Sequence, residues 1–316
     1  MSEAPIVPAA AARPERRPGV GYAMVAVAAV MFAVNGTVAK VVLTAGLSSF
    51  RLAEIRSAGA LIGLALIVFL TRPSSLRIAR REIPTLVVLG ICGVALVQLF
   101  YFLSIRRLPI GIALLIEYLA PLLVALWARF VAGERVRRRI WAALVLALAG
   151  LALVVDVASG VSLDGLGVVF ALLCAVGYAM YLLLAEHSVR GRDPVSLLAY
   201  GFLFASLAWA VTQPWWTFPA TLVSRDVSLL GHLDGIHLPV WGLIVSLVVL
   251  GTIAPYALIV AALRHLSATR VGIVAMLEPL AGAIVAWAWL DEALGGLQIA
   301  GGIVVLAAIF LSQTAR

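Results

Sequence analysis

Two glutamates stand where ionisable groups are hardest to place. Glu117 and Pro121 lie within LPIGIALLIEYLAPLLVALW, and Glu278 and Pro279 lie within VGIVAMLEPLAGAIVAWAWL. If these stretches cross a bilayer, a carboxylate in hydrocarbon marks a functional site by default, because such groups face protein interior or water. A proline inside a helix cannot donate the backbone hydrogen bond its position calls for. Pro121 and Pro279 therefore each free a carbonyl one turn earlier, at Glu117 and Ala275. Freed carbonyls need partners, which water or a polar ligand in a cavity can supply. Glu117 lies four residues before Pro121 on the same helix face, and Glu278 directly precedes Pro279. Three readings are open for each acid: a water-lined site for a substrate amine or a proton, half of an ion pair with another span, or a lipid-facing defect.

Composition decides that these stretches do span lipid. Of the 316 residues, 64% are hydrophobic and 12% charged, against about 45–50% and 25% in ordinary soluble domains. A soluble globule could not hide that apolar surface. The net charge of +8 does not indicate nucleic-acid binding. Its arginines cluster in short segments between apolar runs, with no basic face interleaved with aromatics. The two cysteines, Cys92 and Cys174, both lie in apolar runs and read as small hydrophobes rather than a disulfide or metal pair. Residues 1–19 are rich in Pro, Ala and Arg and lack the apolar core of a signal peptide, so a disordered cytoplasmic tail is expected there.

A span needs about 17–25 mostly apolar residues. Ten stretches qualify: 20–44, 49–71, 84–104, 108–131, 138–156, 165–186, 195–213, 238–263, 268–290 and 293–313. Continuous apolarity at that length predicts helices rather than barrel strands. The fold class expected is an all-α integral membrane protein. Alternate loops hold Arg13, Arg16, Arg17, Arg72, Arg77, Arg80, Arg81, Arg135, Arg137, Arg138, Arg139, Arg190, Arg192, Arg264, Arg270 and Arg316, whereas the other set holds Arg106, Arg107 and Arg225. By the positive-inside rule this skew puts both termini in the cytoplasm of a multi-pass protein of the cell (plasma or inner) membrane. The loop QPWWTFPATLVSRDVSLLGHLDGIH faces outward, with Trp215 and Trp216 in the interfacial aromatic belt and a short interfacial helix expected after them. His232, Asp234 and His237 match no strong metal-ligand spacing, and no metal or other cofactor is expected.

The chain also repeats itself. Residues 106–136 align without gaps on 264–294, pairing Pro121 with Pro279, Glu134 with Glu292, Arg106 with Arg264 and Leu108 with Leu266; Gly93 and Gly251 share the same offset of 158. Spans one and six match more weakly, at an offset nearer 146. Five spans per half means that the second half enters the membrane from the opposite side. Units 20–157 and 163–313 are thus expected to be inverted five-helix repeats, an architecture of alternating access with substrate near the midplane. The acids are not duplicated, since Glu117 corresponds to Ala275 and Glu278 to Ala120.

These features resemble the drug/metabolite transporter superfamily, EamA type, over about residues 20–313. The resemblance rests on the five-plus-five layout and on two copies of a Pro-then-Glu pattern: Pro121 with GlyGlu at 133–134, and GluPro at 278–279 with AspGlu at 291–292. The stretch RRLPIGIALLIEYLAP is similar to the threonine/homoserine exporter branch. The resemblance implies an inner-membrane carrier, commonly an exporter of amino acids and related metabolites. It also implies a central cavity bounded by helices one, three, four, six, eight and nine, which favours Asn35, Gln98, Glu117, Tyr178, Tyr256 and Glu278 as substrate contacts.

Other polar residues carry open readings. Lys40, the only lysine, either snorkels to the headgroups or lines an outer vestibule, facing a substrate carboxylate or Glu54. Arg51 and Glu54 can pair on one face, while Arg56 lies deeper and is the better ligand contact. Gly59 and Gly63 have the spacing of close helix packing. Pro255, beside Tyr256, is a further kink or gating position with Pro121 and Pro279. Gln98, Tyr101, Tyr118, Tyr178, Tyr181, Tyr200 and Tyr256 together suggest a cavity with aromatic walls and few charges. Either glutamate could carry a proton and couple transport to a proton gradient.

Among rival functions, an ATP-driven pump lacks the Gly-Lys-Ser/Thr loop that cradles phosphates. A membrane-embedded enzyme would want HExxH, GxSxG or paired acids at fixed helical spacing, and none occurs. A channel is disfavoured by paired prolines in inverted halves, which suit rocking between two states. A secondary transporter of a small molecule, not an enzyme, is the expectation. The residues name neither substrate nor oligomeric state.

Overall fold

The protein is described by a computed structural model covering residues 17–105, 107, 108, 110–154, 164–291 and 295–314. It is an all-α membrane protein. Among the described residues nine helices are long and apolar enough to cross a bilayer. They are α1 (Pro18–Thr44), α2 (Ser49–Thr71), α3 (Ile83–Ile105), α4 (Ile112–Phe130), α6 (Gly165–Ser188), α7 (Pro194–Thr212), α8 (Val240–Ala262), α9 (Ala268–Leu290) and α10 (Gly296–Gln313). Between α4 and α6 lies α5, Arg138–Val154, whose 17 described residues sit at the short limit for a span. Residues 1–16 of the expected tail, Arg106, Arg316 and Glu292 fall outside the described residues.

Local chemistry sets the helix ends. Ser48 caps α2 by accepting from the Arg51 N–H at 3.3 Å, and Asp164 caps α6 by accepting from Gly167 at 2.7 Å. Asp193 accepts from Val195 and Ser196 at the start of α7, with Pro194 in the first turn, where its missing N–H costs nothing. Asp291 ends α9 in the left-handed region, φ 61°.

The halves are inverted, as side-chain contacts at their ends show. The α1 start meets the α8–α9 turn, where the Arg17 N–H donates to His265 Nδ1 at 3.4 Å. The start of α6 meets the α3–α4 turn at the opposite end, where Arg107 pairs with Asp164 at 3.5 Å. Gly21 lies against Leu266 and His265, while Gly167, 146 residues on, lies against Leu108 and Arg107. One contact is thus built twice, upside-down. Helices α5 and α10 run antiparallel in tight contact. A Cβ at Gly301 would stand 2.5 Å from the Gly150 carbonyl oxygen, and Arg139 donates to the Thr314 carbonyl at the far end of the pair.

Helices α3 and α8 carry a feature that apolar periodicity does not announce. Each contains one π-helical turn, at Ile91–Ala95 and at Val249–Ile253, on the 158-residue offset. Gly93 and Gly251 sit inside these turns. A Cβ on Gly93 would press on Tyr181 and one on Gly251 would overlap Asn35. Such turns leave backbone groups without helical partners and recur at functional sites.

Gly59 and Gly63 serve close packing, since a Cβ at either would strike Val248 or Ile253 of α8. The loop between α7 and α8 holds the short helix expected after Trp215 and Trp216, at Ala220–Val223, preceded by a single turn at Trp215–Thr217. It then adds an antiparallel pair of strands that the sequence did not announce, β1 (Asp226–Ser228) and β2 (His237–Pro239). Pro214 and Pro219 keep the helix short, because neither can donate to the preceding turn. His232 instead approaches Asp291 at 3.5 Å and Asp234 accepts from Ser228. Among the described residues no three His, Cys, Asp or Glu side chains are grouped to hold a metal.

Two arginines tie each half to a loop of the other. At the arginine-rich end Arg192 donates to Glu82 Oε2 at 2.7 Å, to the Ser75 and Arg77 carbonyls and to Ser196, and it lies 5.4 Å over the Tyr200 ring. At the other end Arg51 pairs with Glu54 at 2.6 Å and donates to the Pro214 carbonyl and Thr217. Glu82 lies just outside α3. The Arg192 guanidinium, then the Ala79 N–H, hold its carboxyl below the usual range. A lowered acid adds stability above its unfolded value and loses it as pH falls through the lowered one. Acidification is therefore expected to lower the wild-type melting temperature more than that of Glu82→Gln, which a detergent thermal-shift series across pH would read.

Candidate functional site

The broken helices α4 and α9 bring the two acids together. Helix α4 is interrupted between Glu117 and Ala120, and α9 between Ala275 and Leu277. These are the positions where Pro121 and Pro279 remove a hydrogen bond. Pro121 packs on Gly272, where any Cβ would come within 2.6 Å of the proline ring. That close approach sets α4 against α9. The Tyr118 hydroxyl then donates to Glu278 Oε2 at 2.8 Å, across the boundary between the halves. Glu117 lies within electrostatic reach of Glu278 and beside the Cys174 thiol, which donates to the Val97 carbonyl at 3.4 Å.

Arg56 arrives from α2. Pro255 has no N–H to offer the Gly251 carbonyl four residues earlier, and that carbonyl accepts from Arg56 Nη2 at 3.2 Å. Arg56 Nε donates to Thr252 Oγ1 at 3.1 Å, and Thr252 donates on to the Leu247 carbonyl at 2.8 Å. The π turn thus seats the guanidinium, which lies within electrostatic reach of Glu278, Tyr101 and Tyr256. Among the described residues these bonds use two of its five N–H donors. At the same turn Asn35 covers Gly251, its Oδ1 buried with no hydrogen-bond partner among the described residues.

Aromatic rings close the walls. Tyr118 packs edge-on to Tyr178, Tyr178 stacks on Tyr181, and Tyr181 meets Tyr256 edge-on at 5.8 Å. Phe202 and Phe32 each meet Tyr256 at 5.4 Å. Arg56, Glu117, Tyr178, Tyr256 and Glu278 all keep partial exposure. Electrostatically the space offers two carboxylates and one guanidinium, framed by phenol rings whose faces attract cations.

Of the residues singled out in the sequence, Arg56, Glu117, Tyr178, Tyr256 and Glu278 converge here, with Pro121, Pro255 and Pro279 as the breaks that position them. Asn35 borders the π turn. Gln98 on α3 is buried, and neither amide atom has a partner among the described residues. Arg51 and Glu54 instead form the clamp at the far end, and Lys40 is exposed near the end of α1. Thr252 is the addition, and Tyr118, counted in the sequence among the aromatic walls, holds Glu278 as well. Tyr118 is one residue from Glu117, and Thr252 is next to the carbonyl that Pro255 frees, so the missing-donor rule applied to Pro255 points to it.

An all-α membrane protein with a polar site between inverted halves is a carrier by architecture. The chain matches the EamA-like transporter family twice, over residues 19–156 and 165–314, and it belongs to that family. It is a transporter and not an enzyme. It is 29% identical over 267 residues to the pseudopaline exporter CntI of Pseudomonas aeruginosa, covering 84% of this chain and 87% of that protein. The threonine/homoserine exporter RhtA of Escherichia coli is 28% identical over 257 residues, 81% of this chain and 80% of its own. A crystal structure superposes with a TM-score of 0.74 at 18% identity, covering 93% of this chain and 96% of that one; at that identity the likeness concerns the fold alone.

Proposed function

We propose that this chain is a secondary transporter of the cell inner membrane that exports a small amphoteric metabolite, an amino acid or a close relative, by alternating access. The observation that carries the reading is the convergence of Arg56, Glu117 and Glu278 in one aromatic-walled space where the halves meet. Arg56 takes the substrate carboxylate, since a guanidinium matches that group in two-pronged fashion. Glu117 and Glu278 take the ammonium, and Tyr118, Tyr178 and Tyr256 frame it. Asn35 and Gln98 supply amide contacts at the border. Either acid can exchange a proton once the substrate leaves, which couples the cycle to a proton gradient.

In this reading each of the units 20–157 and 163–313 contributes five spans, with α5 as the tenth helix. The arginine-rich end is cytoplasmic, because positive charge accumulates on that side, and it carries both termini. Lys40 at the opposite end lies along the exit for the substrate. The names of the relatives support export, and the mixed charge of the site supports a zwitterion over a simple cation or anion.

Counterflow in proteoliposomes tests the function. Vesicles loaded with unlabelled threonine are expected to accumulate external labelled threonine above equilibrium, saturably, and then lose it. Conduction without saturation would identify a pore, and recovery of chemically altered threonine would identify an enzyme.

A further inference from the structure

A polar cavity of about 510 Å³ opens at the arginine-rich end where α4, α6 and α9 converge. These helices also carry Glu117, Tyr118, Tyr178 and Glu278. Along them, Val124 and Leu183 line the cavity about one turn beyond Ala120 and Ala179, and Arg270 lines it two turns before Glu278. The cavity therefore lies on the same axis as the central site, displaced toward the membrane surface.

Its charge is opposite in balance to that of the central site. Four arginines and two histidines line it against two glutamates. Glu186 accepts the Ala268 N–H at 2.9 Å and pairs with Arg190 at 3.4 Å, so these two charges offset each other and the positive surplus lies with Arg135, Arg137 and Arg270 against Glu134. The central site holds two acids and one arginine. A solute passing through both must offer an anionic group first and an ammonium deeper in, and a purely cationic solute meets repulsion at the opening.

We propose that this cavity is an oxyanion-binding vestibule, in which Arg137, Arg190 and Arg270 hold a carboxylate or phosphate group of the incoming solute ahead of the central site. The residues are supplied by three separate elements. Arg137 stands before α5, Arg190 follows α6 and Arg270 opens α9, so their convergence depends on the folded bundle. Charge attraction at such a mouth raises the local concentration of an anion and fades with added salt. The proposal extends the amphoteric-substrate reading by requiring an acidic group, yet it stands on separate residues.

Citrate is the probe. Titration calorimetry in maltoside detergent at low salt is expected to show saturable citrate binding, weakened about tenfold or more in Arg137→Gln/Arg190→Gln and weakened again by raised salt. Both arginines are exposed, so the double variant folds, which an unchanged melting curve verifies. Glu117→Gln and Glu278→Gln are expected to leave citrate binding intact, so a failure of the central-site reading stays distinguishable. The same titration is repeated in nanodiscs of phosphatidylcholine and of phosphatidylglycerol. Equal citrate affinity in both supports a solute vestibule. Loss of citrate binding only in phosphatidylglycerol would assign the cavity to a lipid headgroup, and no binding, or undiminished binding in the double variant, would overturn the proposal outright.

Discussion

Glu278→Gln is expected to cut kcat/KM for threonine counterflow by roughly 10- to 100-fold, with little change in melting temperature. The carboxylate accepts from Tyr118 and faces Arg56. A hydrogen bond to a charged group is worth about 1.5–3 kcal/mol, and each ~1.4 kcal/mol is a factor of ten. The amide keeps an oxygen for Tyr118 but loses the charge that attracts an ammonium. Tyr118→Phe separates the two roles. If Glu278 served only to join the halves, Tyr118→Phe and Glu278→Gln would lower the melting temperature alike and leave transport near wild type. If Glu278 binds substrate, transport falls far more in Glu278→Gln. Glu117→Gln is expected to act in the same direction, and because Ala275 and Ala120 occupy the symmetry-related positions, no second acid compensates for either loss.

The second large effect concerns the joint between α5 and α10. In Gly301→Ala the new methyl would stand 2.5 Å from the Gly150 carbonyl oxygen and 2.6 Å from the Val154 nitrogen. Both are backbone atoms, so no rotamer change relieves the overlap and the helices must separate. Overpacking of this kind costs about 1–3 kcal/mol, and the rigid neighbours put this case toward the upper value. Thermal unfolding in detergent is expected to move down by several degrees, while substrate affinity in the surviving folded protein stays near wild type. An unchanged melting temperature would mean that the two helices are not in this contact.

How far the sequence could be read follows the kind of signal each feature leaves. Glu117, Glu278 and the prolines were legible because a charge or a missing donor inside an apolar run has few innocent explanations. The repeat was legible because Pro121 with Pro279 and Gly93 with Gly251 keep one offset. The family match over both halves agrees with that reading. The π turns were hidden, since i+5 hydrogen bonding has no residue signature, and Gly93 alone could serve packing. Once Pro255 is seen to leave the Gly251 carbonyl without its donor, the seat of Arg56 follows. The Tyr118–Glu278 bond joins residues 160 apart, and only the antiparallel meeting of the halves brings them together. In the loop between α7 and α8 the short helix after the tryptophans was legible, while the ladder between Asp226 and Pro239 was not, because it depends on pairing at a distance. Arg51 and Glu54 behaved as their three-residue spacing suggested, as a pair, with the added hold on Pro214 that spacing cannot show.

Alternating access, as proposed, requires the space between Glu117 and Glu278 to open to each face of the membrane in turn. Cys92 and Cys174 are the only native cysteines, so replacing both with alanine gives a background for Tyr178→Cys beside the acids. Labelling by a membrane-impermeant thiol reagent is then measured in right-side-out and in inside-out vesicles, with and without threonine. Labelling is expected from both faces, slowed by threonine on each. Labelling from one face only, under every condition, would contradict it.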